Sequence, residues 1–127
     1  MSTSPDIEIY LAHTPAQAIL DWLNTRFPGS DAQKPRPAGK KQWKHRLRQG
    51  DTSIPVLVIE DAFPGFTSVW FDSPATPWTD DIACAREAFA HFGSEVRATP
   101  GSWQEGDDPD QWWKLDATGE GLIHWPG

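Results

Sequence analysis

Residues 54–71 carry the two apolar segments that decide the fold, Ile54-Pro55-Val56-Leu57-Val58-Ile59 and Phe66-Thr67-Ser68-Val69-Trp70-Phe71, on either side of Glu60-Asp61-Ala62-Phe63-Pro64-Gly65. The first segment is continuous and mostly β-branched, which is typical of a strand covered on both faces. Pro55 is tolerated near the start of a strand. The segment between them contains Pro and Gly, which predicts a turn. We therefore expect strands near 54–60 and 66–71, paired in one antiparallel sheet.

Upstream, residues 7–12 alternate apolar with polar or aromatic side chains, which predicts a half-buried strand. A helix near 15–27 follows. Thr14 is a good N-cap, Pro15 suits the first helical position, and Gln17 completes a capping box. Pro28 and Gly29 end this helix. Its apolar stripe has helical spacing and consists of Ala16, Ile19, Leu20, Leu23 and Phe27.

Downstream, a second helix is expected near 79–92. Thr79 is its predicted N-cap, and Asp80 and Asp81 favour its positive N-terminal end. Gly93 ends it. Its buried stripe consists of Ile82, Ala85, Phe89 and Phe92. A further strand near 94–98 comes next.

The order strand, helix, strand, strand, helix, strand is the ferredoxin-like βαββαβ plan. The prediction is therefore a single α+β domain over residues 1–127, with a long basic insert at 28–53 and an acidic loop and hairpin at 100–127. Both helices would lie on one face of the sheet. The insert and the hairpin would cover the other face.

The C-terminal stretch Trp112-Trp113-Lys114-Leu115-Asp116-Ala117-Thr118-Gly119-Glu120-Gly121-Leu122-Ile123-His124-Trp125 predicts a β-hairpin around a Thr-Gly-Glu-Gly turn. Burial of Trp125 and of one of Trp112 or Trp113 would dock it on the body. Neighbouring residues of a strand point to opposite faces, so Trp112 and Trp113 cannot both face one layer. Tryptophans could fill a second layer over the sheet, or line a partner surface. The candidates for such a surface are Trp43, Trp70, Trp103, Trp112 and Trp113.

Charge is unevenly distributed along the chain. The net charge is −7, yet residues 34–48 carry 7 of the 11 basic residues and no acidic residue. The remainder holds 18 acidic and 4 basic residues, a balance of −14. The alternation in residues 43–48 fits a short strand or an irregular arm. The candidate basic patch consists of Lys40, Lys41, Lys44, Arg46 and Arg48. It could bind nucleic acid or fold back onto the acidic body.

Catalytic and metal signatures are not found in the sequence. The four histidines form no H-x-x-x-H pattern, and the glycines form no nucleotide-binding motif. Cys84 and His91 lie seven positions apart on the second helix, roughly 10 Å along its axis, too far for proton transfer. We therefore expect no catalytic residue, no metal and no cofactor.

These observations favour a small, non-catalytic interaction or regulatory domain. It would bind another protein, or a second copy of itself, through exposed Trp and charged segments. A nucleic-acid-binding accessory protein using residues 34–48 is the first alternative. An enzyme or small-ligand binder with a Trp-lined pocket is the second. The single Cys84, the plain N-terminus and the lack of an apolar run of roughly 20 residues predict a cytoplasmic protein that does not enter membranes.

Overall fold

The computed structural model describes residues 6–99 and 110–125. Trp103 and most of the predicted acidic loop lie outside the described residues. The elements are β1 (Ile7–Ala12), α1 (Ala16–Arg26), a 3₁₀ turn (Ser30–Ala32), β2 (Arg36–Gly39), β3 (Gln42–Gln49), β4 (Thr52–Phe63), β5 (Phe66–Phe71), α2 (Asp81–Phe92), β6 (Val96–Ala98), β7 (Gln111–Asp116) and β8 (Gly119–His124).

Within the described residues, eight strands form one antiparallel sheet in the order β2-β3-β4-β5-β1-β6-β7-β8. The predicted α+β class is confirmed, and so is the pairing of the 54–60 and 66–71 strands in one sheet. The ferredoxin-like βαββαβ topology is not confirmed, because that plan has four strands and this sheet has eight.

The insert and the tail were expected to cover the second face of the sheet, but their strands extend the sheet instead, and the tail reaches that face only through the rings of Trp112 and Trp125 among the described residues. The insert supplies β2 and β3, which pair onto β4, and the tail supplies β7 and β8, which pair onto β6. Both segments are hairpins whose backbone groups need partners, and the outer edges of β4 and β6 provide them. The insert predicted at 28–53 thus contains β2, and 43–48 is a strand rather than an irregular arm.

The core lies between the helices and one face of the sheet, called here the helix face. Buried side chains of α1 and α2, including Ile19, Leu23 and Ala88, pack against it. Directly paired residues of an antiparallel sheet share a face. One helix-face row crosses all eight strands of the described sheet, from Pro37 through Trp43, Val58, Val69, Ile9, Ala98 and Trp113 to Leu122.

The start of α1 differs from the predicted capping box. The Ala16 N–H donates to the Glu60 carboxylate at 2.7 Å, and the Thr14 hydroxyl donates backward to the Ala12 carbonyl at 3.0 Å. Pro15 occupies the N-cap position without a side-chain acceptor. A carboxylate from β4 therefore satisfies the helix terminus in place of Thr14 and Gln17.

The start of α2 also differs from expectation, because Asp80 rather than Thr79 is the N-cap. The Asp80 carboxylate accepts a hydrogen bond from the Ala83 N–H at 2.8 Å. We expect Asp80→Ala to lower the free energy of unfolding by about 1 kcal/mol, which is typical of a lost N-cap. Urea unfolding measures this, and Thr79→Ala is the matched control, expected to change stability by about 0.5 kcal/mol at most. Equal losses in the two variants would restore Thr79 as the cap.

The predicted C-terminal hairpin is present and docked on β6, but its turn lies earlier than expected. Ala117 and Thr118 form the turn, so that Glu120 and Gly121 belong to β8. Leu115 is its buried side chain, whereas Trp112, Trp113 and Trp125 are half-buried. No helix in the described part of the chain is long and apolar enough to cross a membrane.

Candidate functional site

The face of the sheet opposite the helices, called here the open face, carries a row whose charge changes sign from end to end. The row runs across five neighbouring strands through directly paired residues, Arg36, Lys44, Leu57, Trp70 and Glu8. Arg36 and Lys44 are exposed, and the other three are half-buried. The row therefore presents cations on β2 and β3, an apolar strip on β4 and β5, and a carboxylate on β1.

A groove of about 650 Å³ occupies the basic end of this row. Arg46 also lines it, and its neighbour on β4 is Pro55. Asp72 is a carboxylate on its wall. We call this the cationic groove, defined by Lys34, Arg36, Lys44, Arg46, Leu57 and Trp70.

The cations of the groove are available for a ligand. Within residues 6–99 and 110–125, Lys34, Arg36, Lys44 and Arg46 form no ion pair with a carboxylate. The Arg46 guanidinium donates to the Ser53 hydroxyl at 3.3 Å. Four positive charges beside one apolar strip can hold carboxylate or phosphate oxygens.

The other members of the predicted basic patch do not line the groove. Lys40 and Lys41 form the turn between β2 and β3, and Lys41 pairs with Asp61 at 2.6 Å. Hydrogen bonding to Asp61 raises the pKa of Lys41. Arg48 lies further along β3, where its side chain is exposed and its N–H donates to the Ser30 hydroxyl. The structure thus brings Lys44 and Arg46 together with Lys34 and Arg36.

The opposite end of the row is acidic. The Trp70 indole N–H donates to the Asp6 carboxylate at 2.7 Å, which fixes the ring between the apolar strip and β1. Burial, together with Asp81 and Asp6, raises the pKa of Glu8. Burial likewise raises the pKa of Asp81. Carboxylates with raised pKa values favour a neighbour that brings positive charge or hydrogen-bond donors.

Near the turn between β4 and β5, the open face is occupied by an aromatic cluster centred on Trp125. The Trp125 ring centroid lies 4.6 Å from that of Phe63, 5.0 Å from Phe66 and 5.1 Å from Trp112. Tyr10 contacts Trp112 and Trp125 edge-on at 5.5 and 5.6 Å. The guanidinium of Arg97 lies 4.4 Å from the Trp125 centroid, a cation–π distance. These rings pack against one another, whereas Leu57 and Trp70 line the cationic groove.

The candidate tryptophans do not converge on one surface. Trp70 and Trp112 lie on the open face, whereas Trp43 and Trp113 lie in the helix-face row and pack against the core. The Trp113 indole N–H donates to Glu120 at 3.1 Å. Strand parity separates the two pairs, and Trp103 is not among the described residues.

A second cavity, of about 330 Å³, lies at the end of β1 between His13, Phe66 and Arg97. Its charges cancel, because Arg97 pairs with Glu95 at 2.6 Å. In the described ranges, no group of three or more His, Cys, Asp or Glu side chains is placed to hold a metal ion. Burial raises the pKa of the Cys84 thiol well above its usual value, which makes it a packed side chain rather than a nucleophile.

Beneath the groove, on the helix face, His45 is 4% exposed. Its Nε2 lies 2.9 Å from Asn24 Oδ1, while Nδ1 has no partner in the described part of the structure. Burial lowers the pKa of His45, so the folded state favours the neutral ring. Above about pH 6.5 the ring is neutral in both the folded and the unfolded state, so the folded state has its full stability. As pH falls below that value, the unfolded state binds a proton more readily than the folded state, and the free energy of unfolding decreases toward the lower folded-state pKa.

We therefore expect the wild type to lose more stability between about pH 7.5 and about pH 5 than a His45→Phe variant does. Urea unfolding at both pH values measures the difference. The raised pKa of Glu8 makes the folded state more stable as pH falls, in the wild type and in the variant alike. The difference between the two proteins therefore reports on His45. His91→Gln, which removes an exposed histidine, is the control. Parallel pH profiles for the wild type and His45→Phe would contradict this account.

Sequence reasoning missed Leu57, Asp6 and Asp72 as parts of the site. Lys34 and Arg36 were recognised only as members of a basic segment. The alternation of residues 43–48 already places Lys44 and Arg46 on one face of a strand. The neighbours of that face depend on strand pairing between distant segments, and no local pattern specifies it.

No family model, no curated protein and no solved structure matches this chain. The geometry of the open face is therefore what indicates a function.

Proposed function

We propose that this protein is a non-catalytic interaction domain that binds another protein on the open face of its sheet. The observation that carries the proposal is the row from Arg36 and Lys44 through Leu57 and Trp70 to Glu8, in which charge changes sign across an apolar strip. The complementary partner is a protein segment with carboxylates over β3, an apolar side chain on Leu57 and Trp70, and a cation or donor toward Glu8. Aromatic and Arg side chains are favoured anchors of such interfaces.

The alternation in sign favours a protein over a nucleic acid. A nucleic acid carries negative charge along its whole length, so any strand that leaves the groove toward β5 and β1 meets Asp72, Asp6 and Glu8. The net charge of −7 opposes its approach at longer range. A protein segment can place its acidic side chains over the groove alone and present other groups beyond it.

Selection from a random peptide display library tests the class of partner. We expect the enriched peptides to combine two or more acidic residues with a large apolar residue. Their binding should be lost in Leu57→Arg, which inserts a charge into the apolar strip, and kept in Leu57→Met. Peptides without acidic residues, no enrichment at all, or equal binding to both Leu57 variants would each contradict the proposal.

Nucleic acid is the second candidate, favoured by the four cations beside the Trp70 ring. A fluorescent single-stranded DNA of about 20 nucleotides, titrated at low and at physiological salt, decides between the two classes. Our proposal predicts no saturable change in anisotropy at either salt concentration. Saturable low-salt binding that disappears when Lys44 and Arg46 are replaced by Glu would reverse the ranking.

Two finer points belong to the same proposal. We infer that β1, β4, β5 and β6 keep the ferredoxin-like plan inside the larger sheet, since their order is β4-β5-β1-β6, with α1 following β1 and α2 following β5. We also infer that the protein works in the cytoplasm, which rests on the single cysteine of the sequence.

A further inference from the structure

The row from Arg36 to Glu8 runs across the strands of the sheet and not along them. Each of its five residues belongs to a different strand, and neighbours in the row are directly paired residues. Paired strands lie about 4.8 Å apart, so the row spans roughly 19 Å. A partner that contacts every position in turn therefore presents one side chain about every 4.8 Å along its length.

This spacing distinguishes a helical partner from an extended one. An α-helix returns a side chain to the same face after three or four residues, about 5.4 Å along its axis. Positions i, i+4, i+7, i+11 and i+14 of one helix face each lie within about 2 Å of a strand position in the row. Side chains on one face of an extended segment recur about every 6.8 Å, so their mismatch with the row grows to roughly 8 Å at its end. The spacing of the row therefore favours a helix.

The side chains along the row can bind such a helix. At the basic end, Arg36 and Lys44 are exposed and form no ion pair in the part of the chain that the structure describes. In the middle, the half-buried Leu57 and Trp70 line the cationic groove. At the acidic end, the exposed Asp6 accepts the Trp70 N–H through Oδ2, and a carboxylate has further acceptor sites for a basic side chain.

We propose that the partner segment binds the open face as an amphipathic α-helix lying across the strands, an inference that rests on the proposed function. Acidic side chains at i and i+4 contact Arg36 and Lys44. Large apolar side chains at i+7 and i+11 pack on Leu57 and Trp70, and a basic side chain at i+14 reaches Asp6. Acidic residues near the N-terminus of a helix and basic residues near its C-terminus also stabilise the helix itself.

A synthetic peptide of about 18 residues tests the helix. It carries Glu at i and i+4, Leu at i+7 and i+11, and Lys at i+14, in a background of Ala and Gln, which favour helix. Position i+9 lies on the opposite side of the helix and points away from the sheet. We expect Pro at i+9 to weaken binding roughly 100-fold relative to Ala at i+9, because Pro is strongly disfavoured inside a helix. Fluorescence anisotropy measures both affinities. Equal binding of the two peptides, or no binding of the Ala peptide, would show that the helix is wrong.

Charge exchange tests the alignment of the helix with the strands. Two further peptides have the same composition, one with Lys at i+4 and Glu at i, the other with Lys at i and Glu at i+4. Against the Lys44→Glu variant, the first peptide places opposite charges on both basic strands, whereas the second places like charges on both. We expect the first peptide to bind this variant at least about 10-fold more tightly than the second. Equal affinities would overturn the alignment.

Failure of the helix is distinguishable from failure of the proposed function. The display-selected peptides may lose binding in Leu57→Arg while the Pro and Ala peptides bind the wild type equally. In that case the helix is wrong, and the open face still binds a protein segment. If the selected peptides bind Leu57→Arg and Leu57→Met equally, the proposed function fails and the helix fails with it.

Discussion

Removing residues 112–127 is expected to leave a chain that is no longer stably folded at 37 °C. The deletion removes Leu115, which is 3% exposed, together with Trp113 and Trp125, which pack on opposite faces of the sheet. It also leaves β6, a strand of three residues, as the edge. Losses of several kcal/mol from these side chains are comparable to the roughly 5–15 kcal/mol that stabilise a typical domain. Circular dichroism during heating measures the result.

A point variant keeps this prediction testable if the truncated chain cannot be purified. Leu115→Ala should lower the free energy of unfolding by about 2–5 kcal/mol, as expected for a buried leucine. Gln111→Ala, on the same strand but half-buried, should cost about 0.5 kcal/mol at most. A truncated protein that melts at the wild-type temperature would mean that the hairpin contributes little to the core.

Replacing Lys44 and Arg46 together by Glu is expected to weaken binding of the selected acidic peptide roughly 100-fold or more. Each reversal exchanges an attraction for a repulsion inside the groove, and two such changes together amount to about 3 kcal/mol. Isothermal titration calorimetry measures the affinity, which should also fall as salt rises.

The matched control changes net charge by the same amount at positions outside the groove. Lys40→Glu combined with Lys41→Glu should leave the affinity within about threefold of the wild type, because both residues lie in the β2–β3 turn, about 10 Å from Lys44, and screening weakens interactions over more than about 8–10 Å. An equal loss in the two double variants would mean that total charge, and not the cationic groove, determines binding.

Local patterns predicted the helices and most strands, because their signals lie within a few residues. The apolar stripes gave α1 and α2 within about two residues of their ends, and the 54–59 and 66–71 segments gave a confirmed strand pair. Caps were less predictable. Glu60, 44 positions away in the sequence, accepts the hydrogen bond from the Ala16 N–H that Thr14 was expected to provide for α1. A local capping motif around Thr14 does not reveal such a distant acceptor.

The site was harder to predict than the elements, because it depends on cross-strand register. Trp112 and Trp113 were correctly expected on opposite faces, since parity is local. That Lys44 lies beside Leu57, and Leu57 beside Trp70, follows only from the pairing of three strands. That the strands of the insert and the tail extend the sheet was missed for a related reason. A strand pattern does not tell whether a hairpin stacks on a sheet or extends it.

The central claim is that the open face around the cationic groove binds a protein segment, and nuclear magnetic resonance tests it most directly. The isotope-labelled protein is titrated with the selected acidic peptide while backbone amide shifts are followed. We predict that the largest changes fall in residues 44–46, 55–57 and 70–72, which lie along the groove on β3, on β4 and at the end of β5. Changes concentrated in α1 and α2, or absent at peptide saturation, would contradict the claim.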